Sequence, residues 1–248
     1  MTNRSTVLAR LAGSVATGAR DQPLAVRLCV ACVTILGADG GAITLASTRP
    51  ERLTVSTSNG TSARIEDLQD VLGEGPGQEA YREGRIVVTH VDGARGGPFP
   101  MFTELAGDIA GPLTVWAIPM HPGGATIGVI TLYRSGGTLD ESLDDAQFLA
   151  DAVGAALLDD TTTTGHTPFA AWTDRARVHQ ATGMVVAQLA IAPEDALAIL
   201  RAHAFAENAS LDQIARAVVD RELNFTDTQQ GVSHDEAPPD HSTESGGR

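Results

Sequence analysis

Three helix-length segments stand almost end to end between Asp174 and Leu223, and no other stretch limits the fold so tightly. The first places Val178, Ala181, Val185 and Leu189 at spacings of three and four. The second does so with Ala196, Leu197, Leu200 and Ala204, and the third with Leu211, Ile214, Ala215, Val218 and Val219. Each set falls on one face of an α-helix. Pro193 suits a first helical position, and Glu194 and Asp195 suit the positive end of the helix dipole. Ser210 and Gln213 make a capping box, each side chain satisfying an amide that the helix start leaves unpaired. Six of the seventeen residues from 192 to 208 are Ala, so the helices can approach closely. The spacing predicts a compact three-helix bundle of about fifty residues, small enough to favour a partner surface.

Periodicity gives a bundle and no more; the particular residues add a resemblance. The run Q-A-T-G-M from Gln180, followed by E-D-A-L-A-I-L-R from Glu194, resembles the ANTAR domain, an RNA-binding module of transcription antitermination regulators. The matching positions are Ala181, Gly183, Ala196, Leu200, Arg201, Ala204, Asn208, Leu211 and Ala215, and they span the stretch without a gap. Many members carry Lys between that Ala and Gly; this chain has Thr182, which removes a potential phosphate contact. The resemblance implies RNA stem-loops as partners.

Charge narrows how RNA is held. The formal charge of −14 divides as −6 over residues 1–158, −2 over 159–173, −2 over 174–223 and −4 over 224–248. No segment is basic, so nonspecific binding driven by counterion release is not expected. All 17 basic residues are Arg. Recognition would then concentrate on a few of them: Arg201 from the family pattern, and Arg175 and Arg177 from their place at the start of the first helix. The competing role for Arg201 is a salt bridge to Glu194, Asp195 or another acid. His179 and His203 are candidates for RNA bases, or for packing at helix surfaces.

Earlier in the chain, Leu8, Leu11 and Val15 mark a helical face within residues 5–19, and Arg4, Arg10 and Arg20 break any apolar leader. Residues 24–36 read as a helix, 42–47 and 53–58 as short strands. Residues 76–83 read as a short helix opened by Pro76, 85–89 as a strand, and 99–108 as a helix. Residues 109–133 carry no charge, but Pro112, Pro119, Pro122, Gly123 and Gly124 forbid a membrane-spanning helix. They predict a hairpin of strands 113–120 and 127–134 around a P-G-G turn. Residues 143–158 close the region as a long helix. Helices at both ends with five strands between them define an antiparallel α+β domain. L-G-E-G-P-G from Leu72, G-G-x-x-I-G-V-I-T-L-Y-R from Gly123 and L-D-D-A-Q-F-L-A-D from Leu143 resemble a GAF domain of the type joined to ANTAR modules, over residues 7–158. A GAF fold implies a pocket for an unknown small molecule, with Trp116, Phe99, Phe102 and Tyr133 as candidate lining or as plain core.

The glycines at 73–77 lack the spacing of a phosphate loop or dinucleotide fingerprint and read as a loop opening a helix. Cys29 and Cys32 share a face with Val33 and Leu36. With no second Cys pair or H-x-x-x-H they read as core, not as a redox pair or metal site. The seven His show no H-E-x-x-H, and G-x-S-x-G is absent. No metal, cofactor or catalytic residue is therefore expected. Residues 159–173 read as a linker and 224–248 as a disordered acidic tail. The expectation is a cytoplasmic, non-enzymatic, homodimeric antitermination regulator whose GAF domain controls the bundle. A DNA-binding transcription factor, or a ligand-binding or dimerisation protein that binds no nucleic acid, remains open. Asp212, Asp220 and Glu222 beside Arg216 and Arg221 make the third helix a poor fit for the major groove.

Overall fold

In the computed structural model, residues 4–19, 21–45, 53–93, 97–160 and 169–225 are described, apart from the side chains of 169–176 and 179. Five strands form one antiparallel sheet: β1 (Gly40–Leu45), β2 (Leu53–Thr57), β3 (Val87–Val91), β4 (Leu113–Met120) and β5 (Gly128–Arg134), in the order β2-β1-β5-β4-β3. The expected hairpin is β4 and β5, with Val115 opposite Tyr133 and Trp116 opposite Leu132. Successive side chains on a strand alternate faces, so each of these pairs marks a different side of the sheet.

The first side carries Ile43, Trp116, Ile118, Met120, Ile130 and Leu132 against α1 (Arg4–Thr17), α2 (Leu24–Leu36) and α6 (Leu143–Asp159). Cys29 and Cys32 lie in this core as free thiols. Burial pushes the Cys29 thiol up to about 11 and raises Cys32 further. Both stay protonated and unreactive near neutral pH. On α1 the buried pair is Val7 and Leu11, four apart on one face, while Leu8 turns to solvent at 41% exposure. Of the face read from the sequence, Leu11 and Val15 pack inward, and Val7 takes the place expected of Leu8.

The second side carries Val115, Ala117, Val129 and Tyr133 against α3 (Gly60–Leu72), α4 (Pro76–Glu83) and α5 (Pro100–Ala110). The sequence reading gave no helix to residues 60–66. Asn59 nonetheless caps α3: its Oδ1 accepts from Ser62 N at 2.9 Å, and Ser62 Oγ accepts from Asn59 N at 3.1 Å. The apolar signal was broken because the inward face of α3 is partly polar, burying Glu66 and Gln69 beside Ile65 and Val71.

Beyond α6, the bundle consists of α7 (Phe169–Leu189), α8 (Pro193–Ala206) and α9 (Leu211–Val219). Its core contains Val178, Ala181, Val185, Ala196, Leu197, Leu200, Ala204, Ile214, Ala215 and Val218, with Leu189, Leu211 and Val219 half-buried around it. The Ser210–Gln213 capping box forms in both directions. Two boundaries differ from the sequence reading. α7 begins at Phe169, inside the segment expected as linker. Phe225, assigned to the tail, is buried in the bundle core, and its amide donates to Gln188 Oε1 at 3.2 Å. Residues 161–168 and 226–248, where the rest of the linker and tail were expected, lie outside the described residues. Among the described residues no single helix is long and apolar enough to cross a membrane.

Candidate nucleic-acid interface

The family-pattern residues divide by what they touch. Ala181, Ala196, Leu200, Ala204 and Ala215 are fully buried, so they set how closely the helices approach. Asn208 takes the left-handed conformation (φ 50°) between α8 and α9, where Asn is better tolerated than most side chains. Gly183 is different. It is exposed on α7, and a Cβ there would meet nothing within 4 Å, so no internal contact requires glycine. It leaves a flat spot on the helix surface. Thr182 is buried and turns its hydroxyl back to the Val178 carbonyl at 2.8 Å.

The charged candidates are engaged inside the molecule. Arg177 on α7 reaches α9, with Nη1 2.6 Å from Asp212 Oδ1, and the other oxygen of Asp212 accepts from Arg216 at 3.0 Å. This forked pair ties the first helix to the third. Arg201 leaves the bundle: its Nε donates to the Asp70 carbonyl of α3 at 3.0 Å. His203 packs edge-on against Phe225, with ring centroids 5.5 Å apart. The side chains of Arg175 and His179 lie outside the described residues. Asp70 and Val71, which meet the bundle, had no signal in the sequence, because their partners lie more than a hundred residues away.

Where α3 and α5 face the end of α8, an open groove of about 500 Å³ is lined by Leu68, Val71, Ile109 and Phe205, with Asp67 and Asn208 among its polar groups. Partial desolvation in the groove, where Asp67 remains exposed, holds its carboxyl above the usual carboxylate range, and the Glu66 and Asp212 charges add to the effect. An Asp whose folded pKa is raised contributes stability below its unfolded pKa and loses it as pH rises through the folded value. Asp67→Asn should therefore raise the melting temperature at pH 7, with the gain fading as pH falls below about 4. Thermal melts at the two pH values check this; an equal gain at both would assign it to packing.

The four aromatics considered for a ligand pocket do not share one. Phe99, Phe102 and Tyr133 lie in the core on the α3–α5 side, whereas Trp116 lies on the α1–α2–α6 side. Cross-strand partners share a face, and Tyr133 is opposite Val115, not Trp116. The Tyr133 hydroxyl is 3.1 Å from Asn59 Oδ1, at the cap of α3.

The molecule is thus an antiparallel-sheet domain with a helical module docked chiefly on one of its helices. Its family follows from the chain's own match: residues 24–158 match the GAF domain, so the chain belongs to the GAF family. Residues 170–219 match the ANTAR domain, an RNA-binding module. No curated protein is matched. Among solved structures, the chain is similar to the nlh2 GAF domain of A. aeolicus in an inactive state, at 15% identity and TM-score 0.42, over 61% of this chain and 90% of that one. It is also similar to a domain of a putative two-component sensor histidine kinase from Sinorhizobium meliloti, at 16% identity and TM-score 0.41, over 57% and 92%. A third is the GAF-B domain of DevS from Mycobacterium smegmatis, at 14% identity and TM-score 0.38, over 65% and 98%.

Proposed function

We propose that this protein is a transcription antitermination regulator: its ANTAR bundle, paired in a cytoplasmic homodimer, holds nascent RNA stem-loops and so keeps a terminator hairpin from forming. The GAF domain controls when the bundle is available. The observation that carries this reading is the ANTAR match over residues 170–219. The intact Ala-lined core of the same helices supports it. The pairing surface we assign to α1 and α6, which pack together and expose Leu8, Leu143 and Leu158. Symmetric dimers are the commonest soluble oligomer.

Arg201 is the bundle cation we assign to RNA, because a guanidinium can grip a phosphate or a base edge with two parallel hydrogen bonds. The test titrates the full chain with stem-loop RNA and with duplex DNA of matched length. The expected result is a preference for RNA. Arg201→Ala should cost about 1–3 kcal/mol of RNA affinity for a base contact, or flatten the salt dependence by about one unit for a phosphate contact. Equal or tighter binding to the DNA would overturn the reading in favour of a DNA-binding factor. Absence of binding to either would leave a sensory or dimerisation protein.

A further inference from the structure

The last turn of α3 belongs to two domains at once. Ile65 and Leu68 pack into the GAF core, whereas Val71, 8% exposed, lies in the apolar cluster of the bundle. One residue earlier, the Asp70 carbonyl accepts the Arg201 Nε at 3.0 Å. Two residues later, Gly73 ends the helix in the left-handed conformation (φ 65°), and the Arg201 guanidinium lies against it. A Cβ at Gly73 would stand 3.3 Å from Nη1 and 3.5 Å from Cζ. A helix C-terminus presents outward carbonyls and the negative end of its dipole, a surface that suits a guanidinium.

We propose that this contact is an autoinhibitory latch: the C-terminal turn of α3 holds Arg201, and RNA must displace that turn to use the same guanidinium. The inference rests on the RNA reading above and adds its regulation. The seam is built to separate. Beside the latch the groove of about 500 Å³ is open, not filled with side chains, and the charged Arg64 and Asp67 both line it. The same helix reaches the GAF interior. Glu66 accepts from the Thr44 hydroxyl on β1 at 3.2 Å, and Gln69 accepts from the Gly77 amide at the start of α4 at 2.7 Å. A shift of α3 inside the GAF domain is therefore a shift of the latch. If closed molecules outnumber open ones about ten to one, apparent RNA affinity falls about tenfold below that of the open form.

Val71→Glu in the full chain tests this, because it places a charge in the apolar cluster that Val71 joins while keeping the Arg201 side chain itself. Stem-loop RNA affinity should rise about tenfold, and the rise should vanish in Val71→Glu/Arg201→Ala. Val71→Ser, a milder change, should give a smaller rise in the same direction. In the unsubstituted chain, saturating RNA should speed amide hydrogen exchange over residues 69–73. Equal RNA affinity for wild type and Val71→Glu, with exchange over 69–73 faster in the variant, overturns the latch and leaves the RNA reading standing. No RNA binding by either protein, with the seam open in the variant, removes the RNA reading and the latch with it. Should both variants unfold, the wild-type exchange decides: unchanged rates at 69–73 on RNA saturation overturn the latch.

Discussion

Gln69→Ala should destabilise the GAF domain by about 3–5 kcal/mol, because it strands a buried carboxylate and a buried amide together. Gln69 is fully buried. Its Nε2 donates to Glu66 Oε1 at 2.9 Å, and its Oε1 accepts from the Gly77 amide at 2.7 Å. Glu66, 2% exposed, has its second oxygen 3.2 Å from the Thr44 hydroxyl. Losing a neutral partner alone costs about 1–3 kcal/mol; weakening the support of a buried carboxylate adds to that. The loop is wrapped around this side chain. Gly75 sits at φ 140°, and a Cβ there would come within 2.7 Å of Gln69 Cγ and Oε1. Urea unfolding followed through buried Trp116 measures the loss, and a cost below about 1 kcal/mol would mean that water takes over both bonds. Gln69→Glu is the sharper companion. It keeps an acceptor for Gly77 but sets a second carboxylate against Glu66, so it should be poorly stable at neutral pH and partly rescued in acid.

That cluster also shows where sequence reading stops. The bundle was legible because its buried set is all apolar at helical spacing, from Val178 to Val218, and its caps are local residue pairs such as Ser210 with Gln213. β4 and β5 were legible because Pro122 and Gly124 sit between two apolar runs. α3 was not, since a helix that buries Glu66 and Gln69 has an inward face that reads as polar. Phe225 lay beyond the last periodic position and beside a polar tail, yet it closes the bundle core. Arg201 was marked by the family pattern and Arg177 by its place at a helix start, but neither signal names a partner. Arg177 takes Asp212, 35 positions on, and Arg201 takes a backbone carbonyl 131 positions back. A carbonyl acceptor leaves no residue type to search for. The glycine-rich loop was read as structural, and the hydrogen bond from Gly77 to Gln69 gives the reason.

Leu200→Ala should unfold the bundle while leaving most of the GAF domain folded. Leu200 is fully buried, and its neighbours Ala181, Ala196, Ala204 and Ala215 are too short to close over the gap. Such a truncation costs about 2–5 kcal/mol, toward the upper end where surroundings cannot collapse. A module of about fifty residues holds roughly 2.5–7.5 kcal/mol in total. The loss is therefore comparable with everything the bundle has. The GAF domain has two cores of its own, one on each side of the sheet, and meets the bundle mainly at the end of α3, with a smaller contact between β2 and α7. Helix content should fall in an early thermal transition, while Trp116 fluorescence, read in a Trp172→Phe background because Trp172 lies in α7, follows a later one close to that of the chain with Leu200 intact. RNA affinity should disappear with the early transition, although every Arg is still present. A single transition, lowered as a whole, would mean that Val71 and the Asp70 carbonyl join the two domains into one cooperative unit. The latch would then open only by unfolding.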